Sequence, residues 1–98
     1  MKRVTSHRLA GRELIDSALY YDQRRAGLGE EFLSEVETVL EFIRAQPEAG
    51  RPERHATRSY PTKRFPFRIV YDIQPDRLWI VAVAHLSRRP GYWTRRLE

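Results

Sequence analysis

The 98-residue sequence predicts an α+β fold in which an N-terminal helical hairpin packs on a small antiparallel sheet, in the order β-α-α-β-β-β. Three observations lead to this prediction. The first half carries two amphipathic helical patterns separated by a glycine-containing turn. The last third carries two strand patterns separated by the polar turn Gln74–Arg77. Neither part could bury a core alone, so we expect a single domain over residues 1–98.

The N-terminal segment predicts a short strand and the first helix. Residues 2–5 can form an edge strand, and Ser6 is the expected N-cap because its hydroxyl can accept a free N–H group. The helix runs from His7 to near Gly27, a residue that can take the left-handed C-cap conformation. Its expected apolar stripe comprises Leu9, Leu14, Ile15, Ala18 and Tyr21.

A second helix is predicted to begin close to Glu30 and to end before Pro47. Acidic residues in its first turn suit the positive end of the helix dipole. Apolar residues recur at helical spacing, at Phe32, Val36, Val39, Leu40, Phe42 and Ile43. The pattern predicts an amphipathic helix whose apolar face lies on the sheet.

The second half predicts a meander of three strands. Residues 54–60 permit a first strand, although their pattern is polar. The run that opens at Arg68 and ends at Ile73 alternates in character, as in a strand with two different faces, and residues 65–85 are predicted to form a hairpin. Residues 78–84 are apolar at nearly every position, which is typical of a central strand covered on both faces. This strand delivers His85 to the surface.

The net charge of +5 is unevenly distributed along the chain. Residues 1–50 hold seven cationic and nine acidic side chains, whereas residues 51–98 hold eleven and four. Sixteen of the eighteen cations are arginines, whose planar guanidinium matches phosphate and carboxylate groups. The second half therefore predicts a polyanionic or acidic partner. A merely soluble basic surface would show the same bias.

Composition disfavours several other classes of function. The chain has no cysteine, so it has neither a disulfide framework nor a thiolate metal site. His7, His55 and His85 lack metal-ligand spacing, and there is no glycine-rich phosphate loop. We therefore expect no metal and no cofactor. The longest apolar run, residues 78–86, is too short to cross a membrane, and no signal core follows the N-terminus, which favours a cytoplasmic protein.

The tail after the last strand is the most site-like part of the sequence. A buried scaffold that ends in cations, an imidazole and a phenol can bind an anion or take part in acid–base chemistry. The candidate target-binding cations are Arg58, Lys63, Arg64, Arg88, Arg89, Arg95 and Arg96.

Three stretches carry a resemblance to a known family. They are Tyr20-Tyr21 with Leu28-Gly29-Glu30-Glu31-Phe32, then Arg64-Phe65-Pro66-Phe67-Arg68-Ile69-Val70-Tyr71, and finally His85-Leu86-Ser87-Arg88-Arg89-Pro90-Gly91-Tyr92-Trp93. Over about residues 8–97 the chain resembles the RelE/ParE superfamily of toxins from bacterial type II toxin–antitoxin modules, and most closely its ParE-like, plasmid-stabilisation branch.

The resemblance implies a growth-inhibiting toxin that forms a hetero-oligomer with a cognate antitoxin. We expect an extended, acidic and apolar antitoxin segment to bind the basic half and the groove between the helices and the sheet, and to fold as it binds. Two targets are open, because ParE-like members poison DNA gyrase whereas RelE-like members cleave messenger RNA on the ribosome.

The sequence matches the RNA-cleaving branch only in part. Arg68 matches the strand arginine that holds the phosphate in RelE-like enzymes, and Tyr92 matches their tail tyrosine. The paired lysines of those enzymes fall near Ser59 and Pro61, and Leu86 replaces the arginine after the last strand. We therefore expect gyrase inhibition. A ribosome-dependent RNase is the alternative, and only in that case are Arg68, His85 and Tyr92 the candidate catalytic residues. An inactive toxin that still binds its antitoxin is a third possibility.

Each candidate residue also has a purely structural interpretation. His85 can be a hydrogen-bonding group at a strand end, and Arg68 can pair with an acidic residue of the second helix. Tyr92 and Trp93 can close the edge of the core. The Arg95-Arg96 pair can be a solvated charge run at the end of the chain.

Overall fold

The chain is described, over residues 2–98, by a computed structural model in which two helices pack on a five-stranded sheet. β1 (Arg3–Ser6) precedes the helices α1 (Arg8–Arg24) and α2 (Leu28–Ala45). Four strands follow, namely β2 (Arg51–Pro52), β3 (Arg58–Pro61), β4 (Phe67–Ile73) and β5 (Arg77–His85). Three short 3₁₀ turns lie at Pro47–Ala49, Arg54–Ala56 and Thr94–Leu97. The predicted α+β class, with its helical hairpin, is confirmed.

The strand order is β1-β5-β4-β3-β2, and the pairing of β1 differs from the prediction. The strands from β2 to β5 pair antiparallel, but β1 runs parallel to β5, with Arg3 opposite Arg77 and Ser6 opposite Ile80. The sheet is therefore mixed rather than wholly antiparallel. Local periodicity identifies a strand, but it does not specify the direction of a partner at the other end of the chain.

The segment between α2 and β4 also differs from the prediction. Residues 51–52 form a two-residue strand where a loop was expected, which adds β2 to the predicted order. β3 begins at Arg58 rather than at residue 54, because the backbone turns at His55 and Ala56, which both have positive φ. A polar strand and a polar turn have similar sequence patterns, so the boundary was not predictable from alternation.

The first helix begins with a different cap from the one predicted. Ser6 is the last residue of β1, and the Nδ1 atom of His7 accepts the backbone N–H of Leu9 at 3.0 Å. Gly27 has the predicted left-handed backbone, with φ of 87°, but it is the N-cap of α2. Consequently α2 begins at Leu28, two residues before the expected start.

The helix-side core confirms the α2 stripe and corrects the α1 stripe. Phe32, Val36, Val39 and Ile43 of α2 are buried. On α1 the buried residue is Ala10, whereas Leu9 and Ile15 are 38% and 56% exposed. The small Ala10 side chain faces the sheet, and Leu14, Ala18 and Tyr21 continue that face as partly buried residues. Phe42, expected to widen the α2 stripe, is 42% exposed.

The opposite face of the sheet is covered by the tail. Trp93 is 4% exposed and packs with Val70, Val81, Ala82 and Ala84. The prediction that β5 is covered on both faces is therefore confirmed, and so is the core-closing role of Trp93. A β-bulge leaves Val81 without an opposite residue on β4, since Tyr71 pairs with Ile80 and Val70 with Ala82.

Candidate functional site

The tail and the neighbouring strands enclose a cavity of about 200 Å³ on the face of the sheet opposite the helices. We call it the arginine cavity, because five arginines and a single carboxylate line it. These charged residues are Arg51, Glu53, Arg54, Arg68, Arg88 and Arg89, and the predicted residues His85 and Tyr92 also contribute to the wall. The structure thus brings together Arg68, His85, Tyr92, Arg88 and Arg89 from the predicted set.

Backbone hydrogen bonds explain why the tail folds back at this place. The N–H of Leu86 donates to the carbonyl of Pro66 at 2.8 Å, and the N–H of Arg88 donates to the carbonyl of His85 at 3.0 Å. Gly91 then takes a left-handed conformation with φ of 74°, which a side chain would disfavour. The reversal places Trp93 on the sheet and leaves Arg88 and Arg89 exposed at the rim of the cavity.

Arg68 lies on β4 and is held by a polar relay. Its Nε donates to Ser59 Oγ at 2.9 Å, and the Ser59 hydroxyl donates to Glu53 Oε2 at 2.5 Å. Arg51 donates to the same Glu53 oxygen at 3.0 Å. The structural interpretation of Arg68 as a partner of an acidic residue on the second helix is wrong, because the relay leads to the loop between β2 and β3.

The charges in this relay influence one another. Burial lowers the pKa of the Arg68 guanidinium, and the positive charge of Arg51 lowers it further. Burial also acts to raise the pKa of Glu53, but the hydrogen bonds from Ser59 and Arg51 outweigh it, so this pKa lies below its ordinary value. Glu53 therefore stays ionised and offsets part of the repulsion between the two arginines.

The Tyr92 hydroxyl is turned towards α1 rather than into the cavity. It donates to Glu13 Oε2 at 2.6 Å. Burial raises the pKa of the Tyr92 phenol far above its usual value, and the hydrogen bond to Glu13 raises it further. The ring itself supports the cavity rim, since Arg88 Cζ lies 3.9 Å from its centroid. Tyr92 thus keeps its proton and acts here through packing.

His85 lies at the edge of the cavity, with its ring on the helix side of the sheet. The ring packs edge-to-face on Phe67, with 5.0 Å between centroids. Its Nδ1 accepts the backbone N–H of Ser87 at 3.0 Å. In this structure His85 is therefore a hydrogen-bonding group at the end of a strand, which is the position that its structural interpretation describes.

The other predicted cations lie in different environments. Arg95 is exposed, but the Arg96 side chain is only 11% exposed and forms an ion pair with Glu13 at 2.9 Å. The interpretation of Arg95 and Arg96 as a solvated charge run is therefore wrong for Arg96. Arg58 donates to the carbonyl of Gly50 at 2.8 Å.

Lys63 and Arg64 line a separate groove of about 840 Å³ between α2 and β3. We call it the α2 groove. The Glu35 carboxylate on α2 accepts backbone N–H groups from Lys63 and Arg64, both at 2.8 Å, and from Phe65 at 3.3 Å. Arg64 pairs with Glu31 at 2.9 Å. The predicted cations therefore do not form one surface.

Sequence reasoning missed Glu13, Arg51, Glu53 and Arg54. The last three lie between α2 and β3, where the density of arginines was the available signal. Glu13 had none, because an acidic residue on an amphipathic helix is ordinarily solvent-facing. Within residues 2–98, no three His, Asp or Glu side chains converge as metal ligands. No helix of this described part is both long enough and apolar enough to cross a membrane.

Comparison with known proteins decides the family. A family model described as ParE toxin of type II toxin–antitoxin system, parDE, matches residues 4–90. The chain belongs to the ParE toxin family. The predicted membership of the RelE/ParE superfamily is thereby confirmed.

A solved structure shows the same fold as this ParE-family chain. It is a chain of the chromosomal ParDE TA system from P. aeruginosa, with a TM-score of 0.69 and 20% sequence identity. The alignment covers 89% of the present chain and 98% of the P. aeruginosa chain. No curated protein matches the sequence.

Proposed function

We propose that this ParE-family toxin inhibits DNA gyrase by binding, without chemistry of its own, and that a cognate antitoxin neutralises it in the cytoplasm. The observation that carries the proposal is the position of the Tyr92 hydroxyl, which donates to Glu13 and does not face the arginine cavity. The residues of the cavity offer a binding surface rather than an acid–base set.

Metal-free RNA cleavage needs a group that takes the 2′-hydroxyl proton and another that gives a proton to the leaving oxygen. Tyr92 is a poor proton donor in this position, because its pKa is raised by burial and by Glu13. The His85 ring packs against Phe67 on the helix side. These two positions favour the gyrase proposal over RNA cleavage.

The arginine cavity supplies the contact surface in this proposal. Five guanidinium groups face one carboxylate, so the cavity attracts phosphate groups and acidic side chains. Gyrase bound to DNA presents both kinds of group. Arg88 and Arg89 are exposed and lie next to each other in the tail, so they are the first candidates for direct contact.

One observation favours the RNase as a second candidate. Arg68, His85, Arg88 and Tyr92 do line a single cavity, which is the arrangement that a phosphate-cleaving site would need. Rotation of the His85 and Tyr92 side chains on RNA binding would then be required to assemble it.

A paired assay distinguishes the two functions. Purified protein is added to DNA supercoiling by gyrase and, separately, to a ribosome-bound message. We expect the wild type to abolish supercoiling and to leave the message intact. The double variant Arg88→Ala/Arg89→Ala should inhibit gyrase at least about tenfold more weakly, because two charge-assisted contacts are lost. The control Arg3→Ala/Arg25→Ala removes the same charge from exposed positions outside the cavity. Message cleavage with normal supercoiling would reverse the assignment.

The α2 groove is the proposed docking site for the antitoxin segment. It offers apolar surface at Phe42 and Tyr60, whose rings lie 5.0 Å apart, and cations at Lys63 and Arg64. Within the described residues, β2 pairs with Arg58 and Ser59 of β3. The remaining residues of β3, Tyr60 and Pro61, have no strand of residues 2–98 on this edge, where an extended segment can be added. The lining also holds Glu30, Glu31 and Glu35, and Arg64 is paired with Glu31, so the apolar surface and the strand edge support this proposal rather than the charge of the groove.

The docking proposal separates antitoxin binding from target binding. Phe42→Ser should weaken neutralisation by the antitoxin while gyrase inhibition persists. Leu19→Ser, a change at an exposed α1 residue outside this groove, is the matched control. Equal neutralisation of wild type and Phe42→Ser would place the antitoxin elsewhere.

A further inference from the structure

The outer edge of β5 is closed by side chains where β1 ends. Pairing between β1 and β5 stops at Ser6 and Ile80, and no strand of residues 2–98 continues on this side of β5. Beyond this point, Glu13 Oε1 accepts the backbone N–H of Val83 at 3.0 Å. The carbonyl of the bulged Val81 accepts Arg96 Nη1, also at 3.0 Å. An ion pair therefore supplies the hydrogen bonds that a neighbouring strand would have made.

Glu13 is the centre of this arrangement. Besides Val83, it accepts Arg96 Nη1 and Nη2, each at 2.9 Å, and the Tyr92 hydroxyl at 2.6 Å. Burial acts to raise the pKa of Glu13, but the bonds from Arg96, Tyr92 and Val83 outweigh it and the pKa is lowered. The Glu13 carboxylate on α1 thus binds Val83, Tyr92 and Arg96, which lie 70 to 83 residues further along the chain.

The contacts continue from Glu13 to the rim of the arginine cavity. The Tyr92 ring, whose hydroxyl is fixed by Glu13, lies beneath the Arg88 guanidinium at 3.9 Å from centroid to Cζ. A cation stacked on an aromatic ring is attracted to its face, so the ring restricts the positions of an otherwise exposed side chain. Glu13 does not line the arginine cavity.

We propose that Glu13 is a positioning residue for target binding: it fixes Tyr92, and Tyr92 holds Arg88 where the target meets it. The inference rests on the proposed role of the arginine cavity. It assigns to α1 a part in toxicity, although α1 contributes no residue to the cavity wall.

The test uses the 98-residue chain with Glu13→Gln, which keeps the size of the side chain and removes its charge. Glu37→Gln is the matched control, since it makes the same substitution at an exposed residue of α2 that lines neither the arginine cavity nor the surface cleft between Glu13 and Arg88. Each variant is examined in wild-type and Arg88→Ala backgrounds, by gyrase inhibition and by the dose of induced toxin that arrests growth. In the variants that keep Arg88, trypsin cleavage after this residue reports the order of the tail.

We expect Glu13→Gln to lose about tenfold in inhibition and to be cut faster after Arg88, as when one charge-assisted hydrogen bond is lost. Glu37→Gln should match the wild type. In the Arg88→Ala background, Glu13→Gln should reduce inhibition by less than about a further twofold, because Glu13 acts on the target only through the position of Arg88. Unchanged inhibition, or losses that multiply, would overturn the proposal.

A second variant covers the case in which Glu13→Gln does not fold. Tyr92→Phe keeps the ring under Arg88 and removes only the hydroxyl that Glu13 holds, so it should show a smaller loss with the same dependence on Arg88. If the wild type arrests growth without inhibiting gyrase, the gyrase proposal fails, and Glu13 is judged by the growth assay. An inert wild-type chain overturns both proposals.

Discussion

Glu13 and Arg96 lie 83 residues apart in the sequence and form an ion pair of 2.9 Å, with side chains only 16% and 11% exposed. Both oxygens of the carboxylate are bound by the guanidinium, in the bidentate geometry that suits these two groups. The pair joins α1 to the end of the chain and completes the edge of β5. Its formation requires the whole fold, because neither residue has this partner locally.

Loss of Arg96 should destabilise the protein strongly. Arg96→Met leaves the Glu13 carboxylate and the Val81 carbonyl without their main partner, so the free energy of unfolding should fall by about 3 kcal/mol. Urea unfolding measures the change. The neighbouring Arg95→Met removes an exposed charge and should change it by less than about 0.5 kcal/mol. Similar losses in the two variants would contradict a special role for this ion pair.

The same pair predicts a pH dependence of stability. The pKa of Glu13 is lowered from 4.5 in the folded state, so the unfolded state binds protons more readily than the folded state as the pH falls. The contribution of ionised Glu13 to the free energy of unfolding is present above pH 4.5, and it is lost as the pH falls through the lowered folded-state pKa. Urea unfolding between neutral and acid pH should therefore show a shallower acid loss in Glu13→Gln than in the wild type.

Two glycines provide a matched test of helix packing. A Cβ on Gly29 would meet the carbonyl of Ala18 and the carboxylate of Asp22, whereas a Cβ on Gly11 would meet nothing within 4 Å. Gly11→Ala should stabilise the protein by about 0.5 to 1 kcal/mol through helix propensity. Gly29→Ala should destabilise it by about 1 to 3 kcal/mol, because the contact between α1 and α2 must open. Thermal unfolding of both variants decides this, and equal shifts would argue against close helix packing at Gly29.

The turn between β3 and β4 should depend on Glu35. Its Oε2 atom accepts three consecutive backbone N–H groups, from Lys63 to Phe65. Glu35→Gln weakens these bonds by removing the charge, so we expect a loss of about 1 kcal/mol and faster amide exchange at these residues. Glu37→Gln, at an exposed position on the same helix, serves as the control. Unchanged exchange in Glu35→Gln would mean that the turn is held by other contacts.

The sequence by itself determined the elements that depend on near neighbours. The stripe from Phe32 to Ile43 predicted the buried face of α2, because residues three and four apart share one side of a helix. The alternation from Arg68 to Ile73 and the apolar run after it predicted the β4–β5 hairpin. The motifs of the last third also identified the family, which was then confirmed.

Only the tertiary structure decided the pairings between distant residues. The parallel partner of β1, the relay from Arg68 to Glu53 and the bonds of Glu13 all join segments that are separate in the sequence. It also decided that Ala10 rather than Leu9 faces the core, because the rotation of α1 follows from its packing on the sheet. The physical reason is the same in each case. Periodicity reports which side of an element is apolar, whereas a partner is chosen by the three-dimensional arrangement of the complete chain.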